Sequence, residues 1–188
     1  MKRTDLDHII RAAGAVLGDD TVIILGSQAI LASFGEDDLP PAAARSLEVD
    51  LLPLEDPDGK KADKIAGALG ELTQFDAEYG IHADGVSEAT AVLPSGWRER
   101  LITYCNPNTN GISGLCLERH DLCVAKLVAH REKDLEFVSS LLATQLVEPG
   151  IIIGRLDATG VPEETRARIA AFVRAHGSKP DDNTDGVA

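Results

Sequence analysis

Leu47-Glu48-Val49-Asp50-Leu51-Leu52 is an apolar run that carries two acids one residue apart. Strand side chains alternate between faces, so Glu48 and Asp50 share one side while Leu47, Val49 and Leu51 share the other. Two ionised carboxylates a strand repeat apart repel each other unless a cation or base lies between them, and oxygen-only ligation of this kind suits Mg²⁺ or Mn²⁺. A half-exposed strand with one wet face would show the same pattern.

Upstream, Thr21-Val22-Ile23-Ile24-Leu25 reads as a short buried strand, followed at once by Gly26-Ser27. Gln28 to Phe34 has apolar residues at helical spacing, so the chain turns sharply at Gly26. A glycine there allows close approach of a ligand, and a serine beside free helix N–H groups makes an anion pocket suited to phosphate. An ordinary turn with a serine helix cap is the alternative.

Gly26, Ser27, Glu48 and Asp50 together resemble the signature of the nucleotidyltransferase superfamily: a strand ending in Gly-Ser, a helix, then a strand with two acids one residue apart. The resemblance implies a minimal nucleotidyltransferase fold of mixed α/β (α+β) type. It also implies a triphosphate on Gly26-Ser27 and Mg²⁺ on Glu48 and Asp50. Two departures stand out: Glu48 replaces the commoner aspartate, and the interval from Ser27 to Glu48 is long, with the polar loop Gly35 to Pro41 absorbing the excess.

Downstream, Asp121-Leu122-x-x-x-Lys126-Leu127 and Arg131-x-Lys133-Asp134 are similar to segments of the bacterial branch that contains abortive-infection and toxin–antitoxin nucleotidyltransferases and their uncharacterised relatives. Leu93-Pro94-Ser95-Gly96-Trp97-Arg98-Glu99-Arg100-Leu101 also resembles those relatives. The branch implies functional roles for Lys126 and Asp134, Lys126 supplying a point charge near the transferring phosphate. Helix periodicity offers a different reading, in which Lys126, His130 and Lys133 form a solvated cationic stripe opposite Val124, Leu127, Val128, Leu135, Val138 and Leu142. The family also implies a third carboxylate, and Asp84 in Tyr79 to Val86 is the candidate metal ligand. If that segment is a strand, His82 and Asp84 share a face; Asp84-Gly85 also fits a turn.

The 188 residues fit one domain with a helical appendage, and 44% hydrophobic residues support a core built on aliphatic side chains, since only 4% are aromatic. No run reaches membrane-span length and the start lacks the apolar stretch of a signal peptide, so the expectation is a cytoplasmic protein. Cys105, Cys116 and Cys123 form an odd set without a Cys-x-x-Cys pair, in keeping with a reducing compartment. Cys116, His120 and Cys123 could converge on zinc, against a default of buried thiols.

A net charge of −13 disfavours extended binding to RNA or DNA. Arg98, Arg100, Arg119, Lys126, Arg131 and Lys133 leave room for a small contact with a tRNA end, and the acidic surface suits a basic protein partner.

Leu6, Ile9, Ile10, Ala13, Val16 and Leu17 predict an opening helix, and Ile65, Leu69 and Leu72 a second. Ala91 to Leu93, Leu101 to Tyr104 and Ile112 to Leu117 read as strands, with a loop at Asn106 to Gly111. The expected organisation is an α/β core over 1–117, a small mixed sheet with helices on one face. A helical portion over 118–176 walls the cleft, and a disordered tail covers 177–188.

The functional expectation is Mg²⁺-dependent transfer of a nucleotidyl group from a nucleoside triphosphate to a hydroxyl acceptor on RNA or protein, in a toxin-like role with an antitoxin-like protein partner. The competing class is a decayed nucleotidyltransferase fold that serves as a scaffold.

Overall fold

The computed structural model describes residues 1–177, and in it the acid-bearing run forms strand β2 (Glu48–Leu52). With β1 (Thr21–Ile24), β3 (His82–Gly85), β4 (Ile102–Tyr104) and β5 (Ser113–Cys116) it makes a five-stranded mixed sheet of order β3-β2-β1-β5-β4. β1 runs antiparallel to β2 and parallel to β5, while β2 and β3 are parallel. The interior strands are apolar as a doubly covered sheet requires: Ile23, Ile24, Val49 and Leu51 are fully buried.

Helices α1 (Arg3–Leu17) and α3 (Lys60–Leu69) pack against each other and against the sheet, covering one face. α1 buries Leu6, Ile9, Ile10 and Ala13 completely, each large side chain contributing about 1.5–3 kcal/mol, and ends at left-handed Gly18. α3 lies so close to β3 that a Cβ on Gly85 would meet the Ala62 carbonyl oxygen at 2.0 Å. Helix α2 (Pro41–Ala44) ends the long loop before β2, and α4 (Gln74–Tyr79), capped by Thr73, precedes β3.

The C-terminal helices are α5 (Arg119–Ala129), α6 (Glu132–Ala143), α7 (Pro149–Asp157) and α8 (Glu163–Gly177). α5 meets the 3₁₀ turn Ser27–Ala32 that follows β1, and a single apolar core runs from α1 through the sheet to Val173 of α8. His120 joins the first turn of α5 to α7: its Nδ1–H donates to Glu118 Oε1 (2.8 Å), which leaves Nε2 to accept the Glu148 N–H (3.1 Å). Among the described residues no helix is long and apolar enough to cross a membrane.

Several sequence expectations are corrected. Ala91 to Leu93 is not a strand: it follows the 3₁₀ turn Glu88–Thr90, joins no strand of the sheet, and is bracketed by the Arg98–Glu88 ion pair (2.6 Å). Leu72 is not on the second helix, which stops at Leu69; it stands 91% exposed at φ 65°. The segment after Ser27 is 3₁₀ rather than α-helical, and Leu47 precedes β2 and is exposed. Of the expected tail, Gly177 closes α8 and the remaining positions lie outside the described residues.

Candidate active site

The parallel register of β2 and β3 sets Glu48 opposite His82 and Asp50 opposite Asp84. All four side chains therefore project from one face, while Val49, Leu51 and Ala83 are buried on the other under α3. Asp84 is a strand residue, not a turn residue. Burial pushes the Glu48 carboxyl above its ordinary value, and the charges of Asp50 and Asp84 push it further. Burial likewise raises Asp50; Lys126 pulls it back without cancelling the rise, and Asp84 adds to it. Both acids thus resist ionisation, which is the electrostatic condition that a neighbouring cation relieves.

Asp50 lies against the end of β1. The Leu25 N–H donates to the Asp50 carbonyl (3.0 Å), and a Cβ placed on Gly26 would come within 1.8 Å of Asp50 Oδ2. Glycine at position 26 is therefore the shape complement of the carboxylate. Asp50 and Gly26 line a cavity of about 420 Å³, together with Lys126 and Arg131. Its remaining wall is largely apolar and includes Leu25, Val86, Val92, Leu122, Ala125 and Val128. Ser27 lines a separate pocket of about 240 Å³ with Ser46, Arg45 and Lys133. Lys126 borders both spaces.

The two helices that carry the basic groups are broken, not continuous. His130 adopts φ 57° and ends α5, and Arg131 caps α6. The break folds Lys126, in the last turn of α5, back onto Asp134 in the first turn of α6: Lys126 Nζ stands 3.1 Å from Asp134 Oδ1. Arg131 donates to the same carboxylate from Nε (2.6 Å) and Nη2 (3.3 Å). Burial raises the Asp134 carboxyl, but the hydrogen bonds and charges of Arg131 and Lys126 outweigh it and hold the group below its usual range. Lys126 is buried at the cleft, so the solvated-stripe reading does not describe it; His130 and Lys133 are exposed.

Sequence reasoning did not single out Arg131 as a site residue, although it sits inside the quoted Arg-x-Lys-Asp segment. Nor did it foresee the fully buried Asp121, which accepts from Arg100 Nε (2.7 Å) and Nη2 (3.1 Å) and faces Arg155 Nε at 3.4 Å. That node ties the Trp97–Arg100 turn to α5 and α7. Cys116, His120 and Cys123 do not converge as a metal site among the described residues, and both ring nitrogens of His120 are engaged by Glu118 and Glu148.

Among the described residues no three histidine, cysteine, aspartate or glutamate side chains converge as a ready-made metal cage. Glu48, Asp50 and Asp84 are aligned without forming one. Mg²⁺ keeps several waters and is commonly held by one or two carboxylates plus substrate phosphates. Two carboxyls whose ionisation burial disfavours, set against a glycine cradle, fit an ion that arrives with its phosphates, and no closed cage is needed.

The family model that matches residues 4–174 is described as a nucleotidyltransferase of unknown function (DUF6036). No curated protein and no solved structure matches the chain.

Proposed function

The chain belongs to this nucleotidyltransferase family, and we propose that it transfers a nucleotidyl group from a nucleoside triphosphate to a hydroxyl acceptor on RNA or protein, with Mg²⁺ or Mn²⁺ as cofactor. The observation that carries the reading is Asp50 seated against Gly26 at the polar end of the 420 Å³ cavity, faced by Lys126 and Arg131. Glu48, Asp50 and Asp84 are the residues that would hold the ion, which when bound neutralises phosphate charge and favours the acceptor alkoxide.

The chain's own groups supply the rest. The apolar wall takes base and sugar and keeps water from the reacting phosphate. Lys126 and Arg131 set fixed positive charge where the phosphates lie, and because Asp134 already orders both, little reorganisation remains at the moment of transfer. To Ser27, which lines the adjoining pocket that Lys126 also borders, we assign donation to a terminal phosphate oxygen. The acceptor oxygen bonds to the α-phosphorus as the bond to the leaving diphosphate breaks, and to the half-buried Asp84, on the edge strand β3, we assign uptake of the hydroxyl proton. By the resemblance stated above, the activity is toxin-like and held in check by a protein partner.

The test is incorporation of label from each nucleoside triphosphate into RNA or protein of an extract. Label should require Mg²⁺ or Mn²⁺ and vanish in folded Glu48→Ala and Asp50→Ala variants; label that persists in both variants refutes the assignment. A second reading, a nucleotide-binding scaffold without turnover, is favoured by Glu48 standing where the resemblance stated above expects an aspartate. A rise in melting temperature with nucleotide and Mg²⁺, unaccompanied by any transfer, would select it.

A further inference from the structure

We infer that Arg131 is the phosphate clamp of this site, a guanidinium fork that grips the diphosphate end of the nucleotide, and that Lys126 serves to hold Asp134 in place beneath it. The inference rests on the reading that the cavity binds a nucleoside triphosphate.

Both cations border the cavity, yet they are not equally available. The Lys126 side chain is only 10% exposed; its ammonium is engaged by Asp134 at 3.1 Å and lies 5.5 Å from the centre of the Phe137 ring. A lysine so enclosed cannot swing toward a ligand without leaving Asp134, a fully buried carboxylate, short of a partner. The Arg131 side chain is 58% exposed. A guanidinium has five N–H donors; Asp134 receives one from Nε and one from Nη2, so three remain for a ligand at the cavity mouth.

The fork is also held rigidly. Arg131 follows the left-handed His130 directly, and its own carbonyl accepts the N–H groups of Asp134 (2.9 Å) and Leu135 (3.1 Å). Backbone and side chain thus close one loop onto Asp134, and the entropy of ordering the arginine is spent before any ligand arrives. Planar guanidinium donors match two phosphate oxygens at once, which an ammonium does not. An extended polyphosphate, its charge distributed along its length and partly offset by its counter-ion, suits a cavity lined by both Asp50 and Arg131.

The experiment is titration calorimetry of the full chain with inorganic pyrophosphate, in Mg²⁺, for wild type, Arg131→Gln, Arg131→Lys and Lys126→Gln, with melting temperature and far-UV circular dichroism as fold controls. Expected are a loss of at least about tenfold in affinity for Arg131→Gln and only partial recovery in Arg131→Lys, which keeps the ion pair to Asp134. Lys126→Gln should lower the melting temperature with the smaller effect on affinity. Full affinity in Arg131→Lys would show that a point charge suffices, and unchanged affinity in Arg131→Gln beside a large loss in Lys126→Gln would reverse the assignment; either overturns the inference. A wild-type protein that binds neither pyrophosphate nor any triphosphate would instead remove the nucleotidyltransferase reading itself.

Discussion

Gly26→Ala tests the contact on which the site is built. At φ −79° and ψ −170° the backbone at this position is open to alanine, so no conformational strain enters. The whole cost comes from the new methyl, which would lie 1.8 Å from Asp50 Oδ2, 2.8 Å from its Cγ and 3.1 Å from its Cβ. The Asp50 carboxyl cannot remain where it is. Overfilling a packed site costs about 1–3 kcal/mol, which for a chain of this size lowers Tm by roughly 2–12 °C. In the Asp50→Ala background only the 3.1 Å contact survives, a squeeze of a few tenths of an ångström, so the same glycine substitution should cost well under half as much. Urea unfolding of the four members of this cycle measures the coupling, expected at more than half of the Gly26→Ala cost, about 0.5–3 kcal/mol. Calorimetry with nucleotide and Mg²⁺ should show binding lost in Gly26→Ala even where the variant is folded. Strictly additive stabilities, or a Gly26→Ala protein that binds like wild type, would refute the claim that glycine 26 exists to seat Asp50.

Asp134→Ala strands Lys126 in a site 10% exposed and should cost about 3–5 kcal/mol by urea unfolding. Because the folded Asp134 carboxyl is held below its unfolded value, its contribution is present above about pH 4 and is lost as pH falls through the folded value; Asp134→Asn should flatten this acid limb of a Tm-versus-pH curve. Glu48 and Asp50 have the opposite sign: their raised values favour the folded state at low pH, and that advantage fades as they ionise. Asp50→Asn should therefore melt no lower than wild type near pH 7 without metal, while losing the stabilisation that Mg²⁺ and nucleotide confer, as differential scanning fluorimetry would report. Of the three cysteines, only the exposed Cys105 should react with a maleimide in the native protein, with Cys116 and Cys123 modified after unfolding, as counted by intact-mass spectrometry.

The acids were legible because strand alternation is a local rule, and Glu48 and Asp50 obey it within three residues. Their register with His82 and Asp84 was not, since strand pairing is set by contacts thirty residues away in the chain and no short-range signal reports it. The basic half of the site was left open between a cleft and a solvated stripe for a different reason. A single helical wheel drawn through 124 to 142 places Lys126 on the wet face, but the chain breaks at His130, a residue type that only occasionally takes the left-handed conformation, with no glycine or proline to announce it. The strand expected at Ala91 to Leu93 had only Val92 as a β-branched side chain, and although β3 and β4 leave both sheet edges open the segment pairs with neither.

The two halves of the site have different physical origins, and this bears on how it can fail. The acids are placed by sheet register, so they move only if β2 or β3 slips by a residue, which would turn Val49 and Leu51 out of the core. The cations are placed by the α5–α6 break and by one buried carboxylate, and α5 reaches the sheet mainly through the Ser27–Ala32 turn. The halves are held at a fixed distance by the apolar side of α5, which buries Leu122, Cys123, Val124 and Leu127 in the common core, and by the polar ties that orient the helix: Asp121 to Arg100 and Arg155 at one face, His120 to Glu148 at its first turn. None of the residues in these polar ties borders the cavity. Their loss would leave every acid and cation of the site in the chain and still separate Asp50 from Arg131, so substitution of Asp121 should depress nucleotide affinity through the geometry of the cleft and not through its charge.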